Sequence, residues 1–393
     1  MRSDSCLGPF PTELVEVDAL SAPQLRHHEL RPVPASVSAP EPDLPLDVQL
    51  AGTPYLDLVF SGLTATPRLG TEIRTEGLGS SPGGVANLAV ALRRLDLTVG
   101  LAATFADDVY GTYLWHTLGE QEGVDLSASR RVGGWVTPLT VSLAYQRERS
   151  MITYEQPPPL AAAELLAQAP RARCFLTHID HVQASWLPAL RAAGARIFAD
   201  VGWDSSERWS AAVLDNLAMV DVFMPNAVEA MAYTRTSSPQ AALDVLAGLV
   251  PVAVVKCGPD GAIAVSRETG ERVSEPAIGV EALDPTGAGD VFGAAIVYGS
   301  LQQWPLAERI RFANLCAGLS VRFYGGSLSA PCWHEVAGWC RELDADPDAL
   351  DKHKRAYHYL REHYARTSRR VQCRRAQPTI DTACLAPPLA SNG

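Results

Sequence analysis

Between Cys174 and Lys256 the chain repeats one pattern: short runs that read as strands, at Cys174–Thr177, Arg196–Val201, Val220–Met224 and Val252–Lys256. They follow one another at roughly 20–30 residues, and the intervals carry helical spacing, as in Trp186–Ala193, Ala227–Tyr233 and Gln240–Leu249. A strand that returns parallel to its neighbour needs a crossover long enough for a helix. Alternation on this scale predicts β-α-β units with right-handed crossovers. The fold class is therefore α/β, with a central, mostly parallel sheet flanked by helices.

Two stretches break the pattern. Thr71–Glu76 and Thr137–Glu155 alternate polar and apolar residues, as in Val141-Ser142-Leu143-Ala144-Tyr145-Gln146, and read as strands of a small separate sheet. Its strands are expected within about 62–80 and 135–156. The run Leu56–Gly62 reads as a buried strand, with regular structure beginning at Tyr55. Residues 1–50, with prolines at 32, 34, 40, 42 and 45, read as a disordered leader. The main domain is expected over 51–342. Residues 343–393 read as a polar tail, helical from Asp348 to Tyr364 and disordered beyond. That tail holds nine Lys or Arg between Lys352 and Arg375 against one Glu, which reads as a solvated terminal helix and end.

The formal net charge of −11 argues against nucleic acid as the main partner, because phosphate backbones demand a surplus of Lys and Arg. No apolar run approaches the roughly 20 residues of a membrane span. Met1–Phe10 lacks the basic start and apolar stretch of a secretory signal. The eight cysteines are scattered without a Cys-x-x-Cys pair, and they read as reduced thiols of a cytoplasmic protein.

The chemistry concentrates in Asp284-Pro285-Thr286-Gly287-Ala288-Gly289-Asp290. Pro285 ends a strand. Gly287, Ala288 and Gly289 carry almost no side chain, so their N–H groups can converge on an anion. A helix from Val291 onward adds the partial positive charge of its N-terminus. Asp290 then stands where a phosphoryl group would be held. A carboxylate beside an anion hole fits a general base that takes the proton of an acceptor hydroxyl.

This segment resembles the C-terminal signature of the ribokinase-like (PfkB-type) carbohydrate kinases. Gly83-Gly84-Val85-Ala86-Asn87 is similar to that family's N-terminal Gly-Gly and Asn signature, with Val85 where a smaller residue is usual. Pro225-Asn226-Ala227-Val228-Glu229 resembles its Asn-x-x-Glu element. Val254–Gly261 resembles the strand and glycine turn flanking the nucleotide, and Gly325–Pro331 the loop closing the adenine side. The resemblance covers about residues 55–340. It implies a ribokinase-like sheet with a small β lid over the sugar, and transfer of the γ-phosphate of ATP to a sugar-like acceptor. It implies catalytic roles for Asp290, Gly287, Ala288 and Gly289. Lys256, Gly258, Gly261 and Asn314 would bind the nucleotide. Gly83, Gly84, Asn87, Thr64 and Thr66 would bind the acceptor. Asn226 and Glu229 would handle Mg²⁺ through water, and Asp284 with Ser329 a monovalent cation such as K⁺. It also implies a homodimer through the lid.

Departures lie on the acceptor side. The acid expected a few residues beyond the first strand is absent from Ser61–Arg68, leaving Thr64 and Thr66 there. Phe105-Ala106-Asp107-Asp108 replaces the usual Val-Gly-x-Asp, with Asp107 or Asp108 keeping a turn. Asp200-Val201-Gly202-Trp203-Asp204 stands for Asp-x-Asn-x-Arg. A nucleoside kinase of the same fold, or a non-catalytic sugar or nucleotide-binding regulator, are the alternatives to a sugar kinase.

Overall fold

One strand of the main sheet is hidden by the sequence pattern. Leu46–Ala51 forms β1, with Leu46, Val48, Leu50 and Ala51 all buried. It pairs in parallel with β4 (Val99–Ala102) on one side and β9 (Ala172–His178) on the other. The computed structural model describes residues 46–367, apart from 76, 146–147, 180–185, 203, 205 and 348–349. The proposed leader therefore lies outside the described residues up to residue 45, but its boundary at 50 is corrected. Its alternation, Leu46-Asp47-Val48-Gln49-Leu50, is only five residues long and follows directly on the last proline of that run, so the proline-rich composition masks it.

Beyond β9 the sheet continues through β10 (Arg196–Asp200), β11 (Val222–Phe223) and β12 (Val252–Lys256), all parallel. An antiparallel edge follows, β13 (Ala262–Ser266) and β14 (Arg272–Glu275). The eight strands run β14-β13-β12-β11-β10-β9-β1-β4, and apolar clusters pack on both faces. The expected α/β sheet is present, with every strand expected between 174 and 256.

A second sheet runs β3-β2-β7-β8, from β2 (Pro54–Ser61), β3 (Gly77–Gly84), β7 (Leu139–Tyr145) and β8 (Glu148–Tyr154). The strand expected at Leu56–Gly62 is thus a lid strand and not the first strand of the core. Opposed residues share a face. One face carries Asp57, Ser81, Thr140 and Ser142, and the other Leu56, Leu58, Val141 and Ile152. Strands β5 (Thr104–Ala106) and β6 (Arg130–Val132) form a small parallel pair. No described helix is long and apolar enough to cross a membrane.

The described C-terminal part is helical, but it is not merely solvated. The helix Trp333–Ala345 runs through the boundary at 342, and His358–Thr367 buries Leu360 and His363 against it. His363 sits in a box of Tyr298, Trp304 and Trp333 and shares a 2.5 Å hydrogen bond with the Tyr298 hydroxyl. Residues 368–393 lie outside the described residues. Cys174, Cys257, Cys316 and Cys340 are free thiols, but Cys332 is disulfide-bonded, against the expectation of reduced thiols throughout.

Burial, together with the Arg366 charge, pushes the His363 imidazole down to about 4. The unfolded chain takes up a proton there below its ordinary value of about 6.5, and the folded protein does not. Stability is therefore intact above that value and declines as pH falls toward 4, by on the order of 3 kcal/mol across the window. Thermal unfolding at pH 7 and pH 5 checks this: wild type should lose more melting temperature than His363→Phe over the same step.

Candidate active site

The turn before the helix Ala288–Leu301 is set by one carboxylate. Asp284 accepts from the Thr286 N–H at 2.9 Å and from the Gly325 N–H at 3.3 Å, tying the turn to the loop after the next helix. Gly287 takes φ 75°, which only glycine adopts freely, and the helix begins at Ala288, earlier than expected. Asp290 is therefore in the first turn, where backbone N–H groups lack intrahelical acceptors. The Gly325–Pro331 loop closes over this turn, with a Cβ on Gly287 falling 3.5 Å from Gly326. The loop is pinned from below: Arg94 donates to the Leu328 and Ala330 carbonyls at 2.8 Å and pairs with Glu122, both side chains fully buried. The Ser329 hydroxyl donates to the Gly326 carbonyl at 2.6 Å.

Two side chains flank the Asp290 carboxylate. Asn87, on the helix Val85–Arg94, donates its amide N–H to Oδ2 at 3.0 Å. His178, the last residue of β9, places Nε2 3.5 Å from Oδ1. The Asn87 Oδ1 and the Ser81 Oγ are buried without a protein partner, and both lie within 4 Å of a Cβ built on Gly326. Leaving such atoms unbonded costs about 1–3 kcal/mol each, so they mark where a bound polar group fits.

Further groups come from the carboxyl ends of the parallel strands, the usual place for a ligand crevice. Asp200 ends β10 and Lys256 ends β12, and the two form an ion pair. Burial opposes the Lys256 charge, but Asp200 outweighs it and holds the ammonium above its ordinary range. Its Nζ lies 3.3 Å from where a Cβ on Gly289 would stand, so the charge borders the anion cradle. Asn226 bridges to Lys256 and caps the helix Ala227–Thr234. Its side chain accepts the Glu229 N–H, and Glu229 accepts the Asn226 N–H, both at 2.9 Å. Burial, then the Asp200 charge, pushes Glu229 up to about 7.

Gly83 and Gly84 end β3. A Cβ on Gly83 would overlap the Asp57 carboxylate, and one on Gly84 would press into the Tyr55 ring and the Thr53 carbonyl. Asp57, opposite Ser81 and Thr140, is the residue that sequence reasoning missed. Asp57 stands six positions after Ala51, the end of the first strand of the core, whereas the sequence pattern reads β2 as that strand. Thr64 and Thr66 are corrected accordingly. They are exposed past the far end of β2, roughly 20 Å or more along the lid from its base at Pro54, given ~3.3 Å per residue. His178 was outside the expected set, and Asp200 was named only as a departure from the family pattern; the register sets the two side by side at the ends of β9 and β10, against Asp290 and Lys256.

Other expected residues do structural work. Gly258 and Gly261, at φ 57° and 91°, make the turn between β12 and β13. Asn314 donates to the Glu275 and Pro276 carbonyls at 3.0 and 3.1 Å, fixing the chain after β14. Asp108 keeps a turn, accepting from Gly111 and Thr137.

Residues 61–333 match the model of the pfkB family carbohydrate kinases. The chain is 26% identical over 326 residues to the 5-dehydro-2-deoxygluconokinase of Clostridium tetani, covering 76% of this chain and 94% of that one. It is 29% identical over 269 residues to the ATP-dependent ribose-1-phosphate kinase of Halopiger xanaduensis, covering 67% and 87%. Among solved structures, Arabidopsis thaliana ribokinase complexed with ribose and ATP superposes with a TM-score of 0.62 at 22% identity, covering 75% of this chain and 98% of that one. The turn at Asp284, the Gly-Gly pair and the lid thus sit in a ribokinase fold, and the chain belongs to the pfkB family of carbohydrate kinases.

Proposed function

We propose that this kinase moves the γ-phosphate of ATP to a hydroxyl of a sugar or sugar derivative, with Asp290 as general base. The observation that carries the reading is the convergence of the Asp290 carboxylate, the Asn87 amide and the first turn of the Ala288–Leu301 helix. In the reaction, the acceptor oxygen attacks the γ-phosphorus as its proton passes to Asp290. The bond to the bridging oxygen breaks, and ADP leaves with that electron pair. N–H groups of Gly287, Ala288 and Gly289 and the Lys256 ammonium face the charge on the transferred group. The acceptor is held between Asp57, Asn87 and Gly83-Gly84.

The inner face of the lid favours a polyol. Asp57, Ser81, Thr140 and Ser142 share it, offering a carboxylate and three hydroxyls, where a nucleobase would call for apolar or aromatic stacking. The retained Asp290 also speaks against a binding-only regulator.

Among the described residues no three acidic, His or Cys side chains form a metal cage. Asn226 and Glu229 bond each other's backbone, so they fit a hydrated Mg²⁺ held mainly by the ATP phosphates, whose charge it would screen. Asp284 already joins the two loops and Ser329 closes within the second, and K⁺ would take the remaining lone pairs there. The same reading puts the enzyme in the cytoplasm, where ATP is supplied.

Asp290→Asn should lose on the order of 10²–10⁴ in turnover with the KM for ATP nearly unchanged, because an amide cannot take the proton. ADP release across a panel of sugars, sugar acids and nucleosides is the assay, and undiminished turnover would remove Asp290 as base. Gly83→Ala should displace the Asp57 carboxylate and raise the acceptor KM by about 10–100-fold, the loss of one or two hydrogen bonds to a charged group, with the melting temperature held. An acceptor KM within twofold of wild type would mean that Asp57 does not hold the acceptor. The outer lid face exposes Ile152 and Tyr154 at 65% and 49% and would join two copies. Light scattering should then give a dimer for wild type and a monomer for Ile152→Asp; a wild-type monomer would refute it.

A further inference from the structure

His178 has no place in the roles assigned so far. It caps no helix, and its strand neighbours Phe175 and Leu176 supply the core there. Its side chain, 34% exposed, reaches the crevice and brings Nε2 to 3.5 Å from Asp290 Oδ1. The other oxygen of that carboxylate receives the Asn87 amide, so the two residues grip Asp290 from either side. A charge-assisted hydrogen bond of this type closes to about 2.7–2.9 Å, so the pair is within Coulomb reach yet not locked.

We propose that His178 is a positioning residue for the phosphoryl-transfer base: paired with Asn87 it aims the Asp290 carboxylate, and its charge decides whether that carboxylate is held in an ion pair or open to the acceptor's proton. The inference rests on the reading of Asp290 as base.

The charged groups facing the imidazole come from four elements. Asp290 faces it from the helix, Asp200 from the next strand, Lys256 from β12 and Glu229 from the helix beyond. Burial works against the imidazolium, but the hydrogen bond and charge of Asp290, with Asp200 behind, hold it above its ordinary value. The sign follows. When Asp290 takes the acceptor's proton, its negative charge disappears. An imidazolium beside it would then be left unpaired near the Lys256 ammonium, which opposes the transfer. A neutral imidazole loses nothing. The form that turns over is therefore the one with neutral His178, and turnover rises as pH climbs through its titration.

Two measurements test this on the full chain. The first is kcat against pH for wild type and His178→Gln, which keeps an N–H donor but does not titrate. Wild type should show an acid limb above about 6.5, the ordinary histidine value. In His178→Gln that limb should move down by about one pH unit or more, toward the carboxylate range, with the KM for ATP unchanged and plateau kcat within about tenfold of wild type. A limb that stays in place overturns the proposal. The second, for use even if that variant folds poorly, is the NMR titration of the His178 ring in wild type and Asp290→Asn. Its midpoint should fall when the carboxylate is removed, and an unmoved midpoint also overturns the proposal. Wild type inactive with every acceptor would instead defeat the kinase reading, and the NMR titration would still decide whether the pair is coupled.

Discussion

The helix Ala288–Leu301 has to satisfy two opposed demands. Its body, Val291 to Ser300, is buried throughout, while its first turn must stay bare enough for backbone N–H groups to meet an anion. A helix that is apolar all round needs cover on every side. Cover comes from the Val85–Arg94 helix, the Leu306–Ser320 helix and the C-terminal His358–Thr367 segment around Tyr298. The bare end is held open by the Asp284 carboxylate, which serves two loops at once. Asp290 inherits its position from both: the body fixes the axis, and the Asp284 tie fixes the start.

Around that end the protein places buried charges that cost desolvation energy unless they are paired. Lys256 meets Asp200, Glu229 lies behind them with its proton affinity raised, and Arg94 with Glu122 supports the Gly325–Pro331 loop. None of these pairs is strong evidence for stability. Their common feature is direction. Each fixes a strand end or loop that borders the same crevice, so the desolvation cost goes into geometry at the site.

Much of this was legible in the residues. The strands at 174, 196, 220 and 252 announced themselves by spacing, and Asp284–Asp290 by its run of small residues between two acids. β1 did not, because its alternation, Leu46-Asp47-Val48-Gln49-Leu50, is short and follows directly on a proline-rich run. With Leu56 read as the start of the first strand, the position of the acceptor acid falls past Asp57, at Thr64 and Thr66. His178 was silent for another reason. A lone histidine at a strand end has no local pattern, and its partner lies 112 positions away on a helix. Asn314 shows the converse: its expected place near the nucleotide site gave no sign that its amide would be taken by two carbonyls.

The packing of the C-terminal segment also bears on biosynthesis. A chain leaves the ribosome from its N-terminus, so β1, the lid and the parallel strands are all available before the Ala288–Leu301 helix emerges. That helix gains His363 against Tyr298, and the next helix gains Tyr359 at the Glu308 carbonyl, only when residues 358–367 have followed, late in translation. The turn bearing Asp290 therefore rests on a helix that is incompletely covered until the chain is nearly finished. A truncated product ending before residue 358 would keep both sheets yet leave the aromatic surface of Tyr298, Trp304 and Trp333 open to water. Such a fragment would present the kind of exposed apolar patch that chaperones and proteases recognise.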